Sequence, residues 1–237
     1  MRTLIFQHST ETDAGTTLEW LRQRQWPVTT LLLPASPLPI HLNPEDFDLL
    51  VICGGGMNVD QEEQYPWLRA EKKWIWEFLQ FSKSKKILGL CLGAQLIAEV
   101  LGAKVGKSLE WEAGWQTVHW FGDQETESPH SSLSKEKLLR VFQFHGYSFS
   151  LPAGAINLAL SECCQNQAYK IGEQVLAFQF HPETTVDWAL ACAAETDGPS
   201  PSQYVQSPSE IKRDNQFQPA LQKWYFSQLD TWLINRS

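Results

Sequence analysis

The order of apolar runs and amphipathic segments predicts an α/β fold: a doubly wound, mostly parallel sheet flanked by helices, with a smaller antiparallel strand region in the second half. Three observations carry that expectation. Leu49-Leu50-Val51-Ile52-Cys53 and Ile87-Leu88-Gly89-Leu90 are apolar without alternation, as strands buried on both faces are. Between them Trp67, Ala70, Trp74, Phe78 and Phe81 recur three and four residues apart, the helical period. After Val105, strand-like runs follow one another with few helical stretches between them.

The elements follow in order. Leu4 to Gln7 is a short first strand, and Thr16 to Trp26 a helix with Leu18 and Leu21 on its apolar face. Val28 to Leu33 is a second strand that stops at Pro34, and the Pro-rich stretch to Pro44 is a connection, because proline removes ladder donors and fixes φ. The strand Leu49 to Cys53, the helix around Trp74, the strand Ile87 to Leu90 and a helix from Gly93 to Leu101 complete the first half. In the second half, Val118 to Phe121, Leu138 to Phe144, Ile156 to Leu160 and Val175 to Phe180 are strands. Residues 195–218 are polar, rich in Pro and Ser, and expected as a loop. Leu221 to Leu233 is a last helix bearing Leu221, Trp224, Tyr225, Leu229 and Trp232 on one side.

A length of 237 residues suits one α/β domain over the whole chain better than two small ones. A net charge of −8 argues against nucleic acid as a partner, since polyanion binding needs a basic patch. The longest basic run, Lys83-Ser84-Lys85-Lys86, precedes an apolar strand and fits a solvated turn. No apolar stretch reaches the ~20 residues that span a bilayer, so no membrane partner is expected. Five cysteines, two of them adjacent (Cys163, Cys164), match neither a disulfide framework nor a zinc module. They fit reduced thiols of a cytoplasmic protein, with no metal and no cofactor expected.

The most informative segment is Gly89-Leu90-Cys91-Leu92-Gly93-Ala94-Gln95. Gly-x-nucleophile-x-Gly between a strand and a helix is a nucleophile elbow, in which glycines on both sides let a sharp turn close. The sulfur then sits at a helix N-terminus, where the macrodipole favours negative charge. The amide of Leu92 faces the place where an oxyanion would form. Alone, the pattern also fits a buried thiol between two core elements. Gly54-Gly55-Gly56-Met57 leaves a neighbouring strand at the carboxyl edge, where open α/β sheets place their sites. An amide there is positioned to be a second oxyanion donor.

The strand Val175 to Phe180 ends at His181-Pro182-Glu183. A thiol that attacks an amide needs a base that later protonates the leaving nitrogen, and imidazole does both near neutral pH. A carboxylate on the other ring nitrogen fixes its tautomer and orientation. Of the other histidines, His145 (Phe144-His145-Gly146-Tyr147) alone has a motif-like setting, and His8, after the first strand, fits a structural role at the same edge.

Together, Gly54 to Met57, Gly89 to Gln95, Glu112-Ala113-Gly114-Trp115, His145-Gly146 and Gln179-Phe180-His181-Pro182-Glu183 resemble the class I, or triad, glutamine amidotransferases. The likeness is greatest to proteins related to the amidotransferase domain of GMP synthetase, and it runs from about residue 3 to about residue 190. It implies Cys91 as nucleophile, His181 as base then acid, and Glu183 as orienter. It implies the amides of Gly55 and Leu92 as oxyanion hole, and Gly56, Gln95, His145, Gly146 and Tyr147 as residues that meet a glutamine or γ-glutamyl small molecule. The sequence departs from that pattern at Gly56, often Pro in the family, and at Tyr147, often Asp. The missing carboxylate makes glutamine by itself a poor expected substrate.

Three functions remain open on the residues alone. One is a glutaminase feeding ammonia to a synthetase on another chain, since no P-loop pattern is present. The second is a γ-glutamyl peptidase or hydrolase acting on glutathione-like substrates through the same triad. The third is a non-catalytic binding module of the same fold.

Overall fold

A computed structural model describes residues 1–35, 38–39, 42–122, 137–195 and 202–234. Its sheet contains nine strands: β1 (Thr3–Gln7), β2 (Val28–Leu32), β3 (Leu49–Ile52), β4 (Lys86–Leu90), β5 (Val105–Trp120), β6 (Lys137–Phe149), β7 (Ile156–Leu160), β8 (Ala168–Ile171) and β9 (Val175–Phe178). They lie in the order β2-β1-β3-β4-β9-β8-β7-β5-β6. The pairings from β2 to β9 are parallel and those from β9 to β6 antiparallel, so β9 is the seam of a mixed sheet. The fold is of the α/β class, and the antiparallel part contributes as many pairings as the parallel part.

Helices cover both faces. α1 (Thr16–Gln23), α4 (Val186–Ala193) and α6 (Gln218–Leu233) pack on one core, with Trp20, Trp115, Phe178, Phe180 and Tyr225. α2 (Trp67–Phe81) and α3 (Leu92–Val100) pack on the other, with Phe6, Trp74, Phe78 and Ile97. Each large apolar side chain so buried is worth about 1.5–3 kcal/mol. β3 and β4 are buried at every residue, as their unbroken apolar runs require. The buried stripe of α2 meets the expected one only in part: Leu68, Glu71, Trp74, Ile75, Phe78 and Leu79 face inward, so Trp74 and Phe78 are as expected, while Phe81 is half exposed. Aromatic residues at helical spacing defined the right element but a face rotated from the true one.

Four other expectations are corrected. α1 stops at Gln23, before Trp26, and the chain turns through Gln25 at φ +53°. β5 begins at Val105 instead of Val118; its charged first half hides the period, and a register shift lies between Lys107 and Glu112. The Lys83–Lys86 run is a solvated turn only at Lys83 and Ser84, because Lys85 and Lys86 are buried and their ammonium groups reach the carbonyls of Glu45, Phe47 and Glu173. Residues 195–218 are not all loop. Their part 196–201 lies outside the described residues, but α5 (Pro208–Asp214) forms within them and a 3-10 turn (Asn215–Phe217) joins it to α6. Ser207 and Glu210 make a capping box around Pro208, a helix start concealed by polar composition. Before it, Tyr204 to Gln206 runs beside β5, with Ala113 N donating to Tyr204 O and Gln206 N to Ala113 O.

The β5–β6 hairpin also folds back over the ends of the parallel strands. His181 N donates to Phe142 O at 2.8 Å, an isolated bridge joining β6 to the segment after β9. This brings the two halves of the molecule to one cleft.

Candidate functional site

β4 delivers Cys91 into α3 through a strained turn. Cys91 has φ +50°, one of two non-glycine residues with positive φ among the described ones. Such a conformation costs of order 1–3 kcal/mol and persists only where surroundings enforce it. The flanking glycines make it feasible: a Cβ on Gly89 would stand 2.8 Å from Ala94 N, and one on Gly93 2.2 Å from Ile52 O. The elbow therefore closes only with glycine at both positions.

β9 leads to His181 and Glu183, both buried, with His181 Nδ1 2.8 Å from Glu183 Oε1. Burial by itself would lower the His181 pKa, but the charge of Glu183 and the hydrogen-bonded Cys91 beside it raise it to about 10. The imidazole thus bridges the carboxylate and the sulfur and holds its proton in the neutral range. Gln179 Nε2 points at the Cys91 Sγ from 3.6 Å. Trp188 covers the ring, with centroids 4.5 Å apart. The other four thiols have no such setting: burial pushes Cys163 and Cys164 up to about 12, and Cys53 and Cys192 are raised as well.

Glu183 is fixed from a distant part of the chain. Gly15, at φ +48°, starts α1, and a Cβ there would lie 2.2 Å from Glu183 O. Thr16 N donates to that same carbonyl at 2.8 Å. On the far side, Gln218 Nε2 donates to Thr184 O. Sequence reading missed Gly15; its only signal was a lone glycine before a helix.

A cleft of about 400 Å³ opens above Cys91, lined among others by Gly55, Gly56, Leu92, Gln95, His145, Gly146 and Tyr147. All the residues named from the sequence as oxyanion or substrate contacts therefore border one space with the sulfur. Their roles in it differ. Gly55 and Leu92 flank Cys91, and a Cβ on Gly55 would press within 3.0 Å of the Leu92 side chain. Gly56 has open space around it and no steric need to be glycine. Gln95 is buried, its Nε2 donating to Tyr147 O and to Gln179 Oε1, so it ties β6 to the Gln179 that faces the sulfur. His145 is buried, with Nδ1 3.0 Å from Tyr147 O and Nε2 3.2 Å from Glu112 Oε2 outside hydrogen-bond geometry. Glu112 itself accepts from Ser161 and Gln167 in a buried polar cluster. Gly146 is required by Trp111, whose ring would meet a Cβ at 2.3 Å.

Lys107, Trp111, Phe144 and Asn58 also line the cleft, and the sequence reading named none of them as site residues. Lys107 and Trp111 sit on the half of β5 whose period was not legible. Asp60 was missed too. Its carboxylate meets the Tyr147 phenol, whose pKa is raised by burial and by that charge. Asp60 belongs to the exposed loop after Gly54-Gly55-Gly56, so a carboxylate stands beside position 147 without itself lining the cleft.

The sequence profile of the family described as glutamine amidotransferase class-I matches residues 16–188. A glutamine amidotransferase-like protein of Salmonella typhimurium is 31% identical over 192 residues, 79% of this chain and 77% of that protein. A GMP synthase of Flavobacterium psychrophilum is 34% identical over 99 residues, 41% of this chain and 19% of the synthase. Gamma-glutamyl peptidase 3 of Arabidopsis thaliana is 31% identical over 102 residues, 42% of this chain and 41% of the peptidase. Among solved structures, a glutamine amidotransferase from Thermotoga maritima aligns with a TM-score of 0.82 at 29% identity, over 99% of both chains. The resemblance read from the motifs, to the family and to GMP synthetase, is met by these relatives.

Proposed function

The chain belongs to the class-I glutamine amidotransferase family, and from that premise we propose that it hydrolyses a γ-glutamyl amide through Cys91, His181 and Glu183. One observation carries the reading: His181 joins a buried carboxylate to a cysteine at a strained elbow, below an open cleft.

With the proton that they share held on His181, the Cys91 sulfur attacks the γ-carbonyl carbon, and the oxyanion formed as the C=O electrons move to oxygen accepts hydrogen bonds from the N–H groups of Gly55 and Leu92. Collapse of that adduct breaks the C–N bond, and the His181 proton passes to the leaving nitrogen. A γ-glutamyl thioester remains on Cys91. Water then attacks the thioester carbon as its proton passes to His181, and the C–S bond breaks, releasing glutamate and returning the Cys91 sulfur beside a protonated His181. Glu183 keeps Nδ1 protonated and stabilises the imidazolium throughout. Lys107 supplies a positive charge in the wall of the cleft and Asp60 a negative one beside Tyr147, suited to the α-carboxylate and α-ammonium of the γ-glutamyl group.

With glutamine the product is ammonia, available to a synthetase on another chain. A second reading, γ-glutamyl peptidase or hydrolase activity, is favoured by the aromatic lining of the cleft, where Trp111, Phe144 and Tyr147 offer a face for a bulkier leaving amine. Its volume is in the usual range for small-molecule sites, ~300–1,000 Å³. Among the described residues no helix is long and apolar enough to cross a membrane.

The test is kcat/KM for glutamine, glutathione and a γ-glutamyl dipeptide, measured on wild type and Cys91→Ser. Cys91-dependent release of glutamate from any of them supports the reading. Equal rates in the two proteins contradict it.

A further inference from the structure

We propose that the buried His8–Glu71 pair is a positioning device for the oxyanion hole, holding the Gly54–Gly55 peptide so that the Gly55 N–H faces the cleft. The inference deepens the function proposed above and rests on it. His8 ends β1, Glu71 lies on the inward face of α2, and both side chains are fully buried. His8 Nδ1 lies 2.9 Å from Gly54 O, and Nε2 lies 2.9 Å from Glu71 Oε1. A carbonyl oxygen can only accept, so Nδ1 carries a proton. Trp67 stacks on the ring, with centroids 5.4 Å apart, and blocks its rotation.

Peptide geometry turns this contact into a device. No peptide is cis among the described residues, so the Gly54 C=O and the Gly55 N–H belong to one plane and point in opposite directions. Fixing the carbonyl on His8 directs the N–H away from His8. The reacting groups are close to this peptide: a Cβ on Gly54 would meet the His181 ring at 3.0 Å and the Cys91 Cβ at 3.7 Å, and Gly55 lines the cleft together with Cys91. Two glycines in sequence would otherwise let this plane rotate freely. Burial opposes a charge on His8, but the Glu71 carboxylate and the contact with the Gly54 carbonyl raise its pKa. A hydrogen-bond donor on the carbonyl polarises the peptide and strengthens its N–H as a donor. His8 touches no substrate in this scheme. It acts through Gly54.

Two reagents separate this role from a merely structural one. Iodoacetamide alkylates Cys91 by displacement of iodide and forms no oxyanion. p-Nitrophenyl acetate acetylates it through a tetrahedral oxyanion and releases p-nitrophenolate. In His8→Leu we expect acetylation of Cys91 to fall at least tenfold, with alkylation within twofold of wild type. His8→Asn, whose amide nitrogen takes the place of Nδ1, should recover most of the acetylation. Glu71→Gln, which keeps an acceptor for Nε2–H, should lose several-fold and is a milder change should His8→Leu not fold. Acetylation unchanged in all three variants, or both reactions falling in parallel, would overturn the proposal. Failure of the underlying function looks different: p-nitrophenolate release and alkylation would then not depend on Cys91 at all.

Discussion

The parallel and antiparallel halves of the sheet divide the candidate site between them. The carboxyl ends of β1, β3 and β4 supply His8, Gly54-Gly55 and Cys91, while β5 and β6 supply Lys107, Trp111 and Gly146-Tyr147. β9, the seam, leads to His181. Reacting groups therefore sit on strands buried on both faces, and the outer wall of the cleft sits on a hairpin with exposed residues along it. The division implies that chemistry and selectivity can be altered separately. Substitutions in the first group should abolish bond making, and those in the second should redistribute preference among substrates.

The largest expected effect is at Cys91. Cys91→Ser should lose several orders of magnitude in kcat while remaining folded, since a triad acts as a unit. In the wild type a peptide map after brief iodoacetamide treatment should find Cys91 labelled before Cys53, Cys163, Cys164 and Cys192, whose pKa values are all raised. Labelling led by another cysteine would break the assignment.

Next comes the imidazole and its orienter. His181→Ala should be nearly as damaging. Glu183→Gln should keep more activity and change the pH profile in a defined sense. The His181 pKa is raised to about 10, so its proton is present across the neutral range and lost as pH rises through about 10. Beyond that point no acid is left for the leaving nitrogen, and kcat/KM should fall. The Glu183 charge is what chiefly overcomes burial. Without it the alkaline limb should move to lower pH by a unit or more, each unit being about 1.4 kcal/mol. An alkaline limb that does not move in Glu183→Gln would reduce Glu183 to a turn residue.

Gly15→Ala should follow with an intermediate loss. It forces a Cβ against Glu183 O at a left-handed φ, of order 1–3 kcal/mol of strain. Differential scanning calorimetry should find a lowered Tm and assays a reduced kcat. Wild-type values of both would mean that the start of α1 does not hold Glu183.

The same two halves explain what was legible in the sequence. Buried parallel strands are continuous apolar runs, and the elbow and the His-Pro-Glu turn carry unusual residues at fixed spacing, so β3, β4, Cys91 and His181 could be read directly. β5 could not, because Lys107, Glu110 and Glu112 interrupt its apolar alternation and Glu112 is buried only through Ser161 and Gln167. β8, with Tyr169 inside and Lys170 outside, is too short at four residues to show a period. Asp60 and Gly15 reach the site through tertiary contacts that leave no local pattern. Polar composition hid α5, although Ser207-Pro208-Ser209-Glu210 contains its capping signal.

The smallest effects should come from the antiparallel wall. Asp60→Asn should raise KM for substrates with a free α-amino group, and Trp111→Ala should raise it for γ-glutamyl peptides more than for glutamine, each by of order 1–3 kcal/mol. Tyr147→Asp should shift preference toward glutamine in the same range. None of the three should alter the rate at which iodoacetamide alkylates Cys91. If any of them slowed alkylation as much as turnover, the division between the halves would fail.

The most direct measurement is acid quenching of the wild-type chain during turnover of glutamine or a γ-glutamyl dipeptide, followed by mass mapping. The account predicts one γ-glutamyl group, carried as a thioester on the peptide containing Cys91 and absent in Cys91→Ser. Turnover with no acyl group on Cys91, or with the group on another residue, would contradict it.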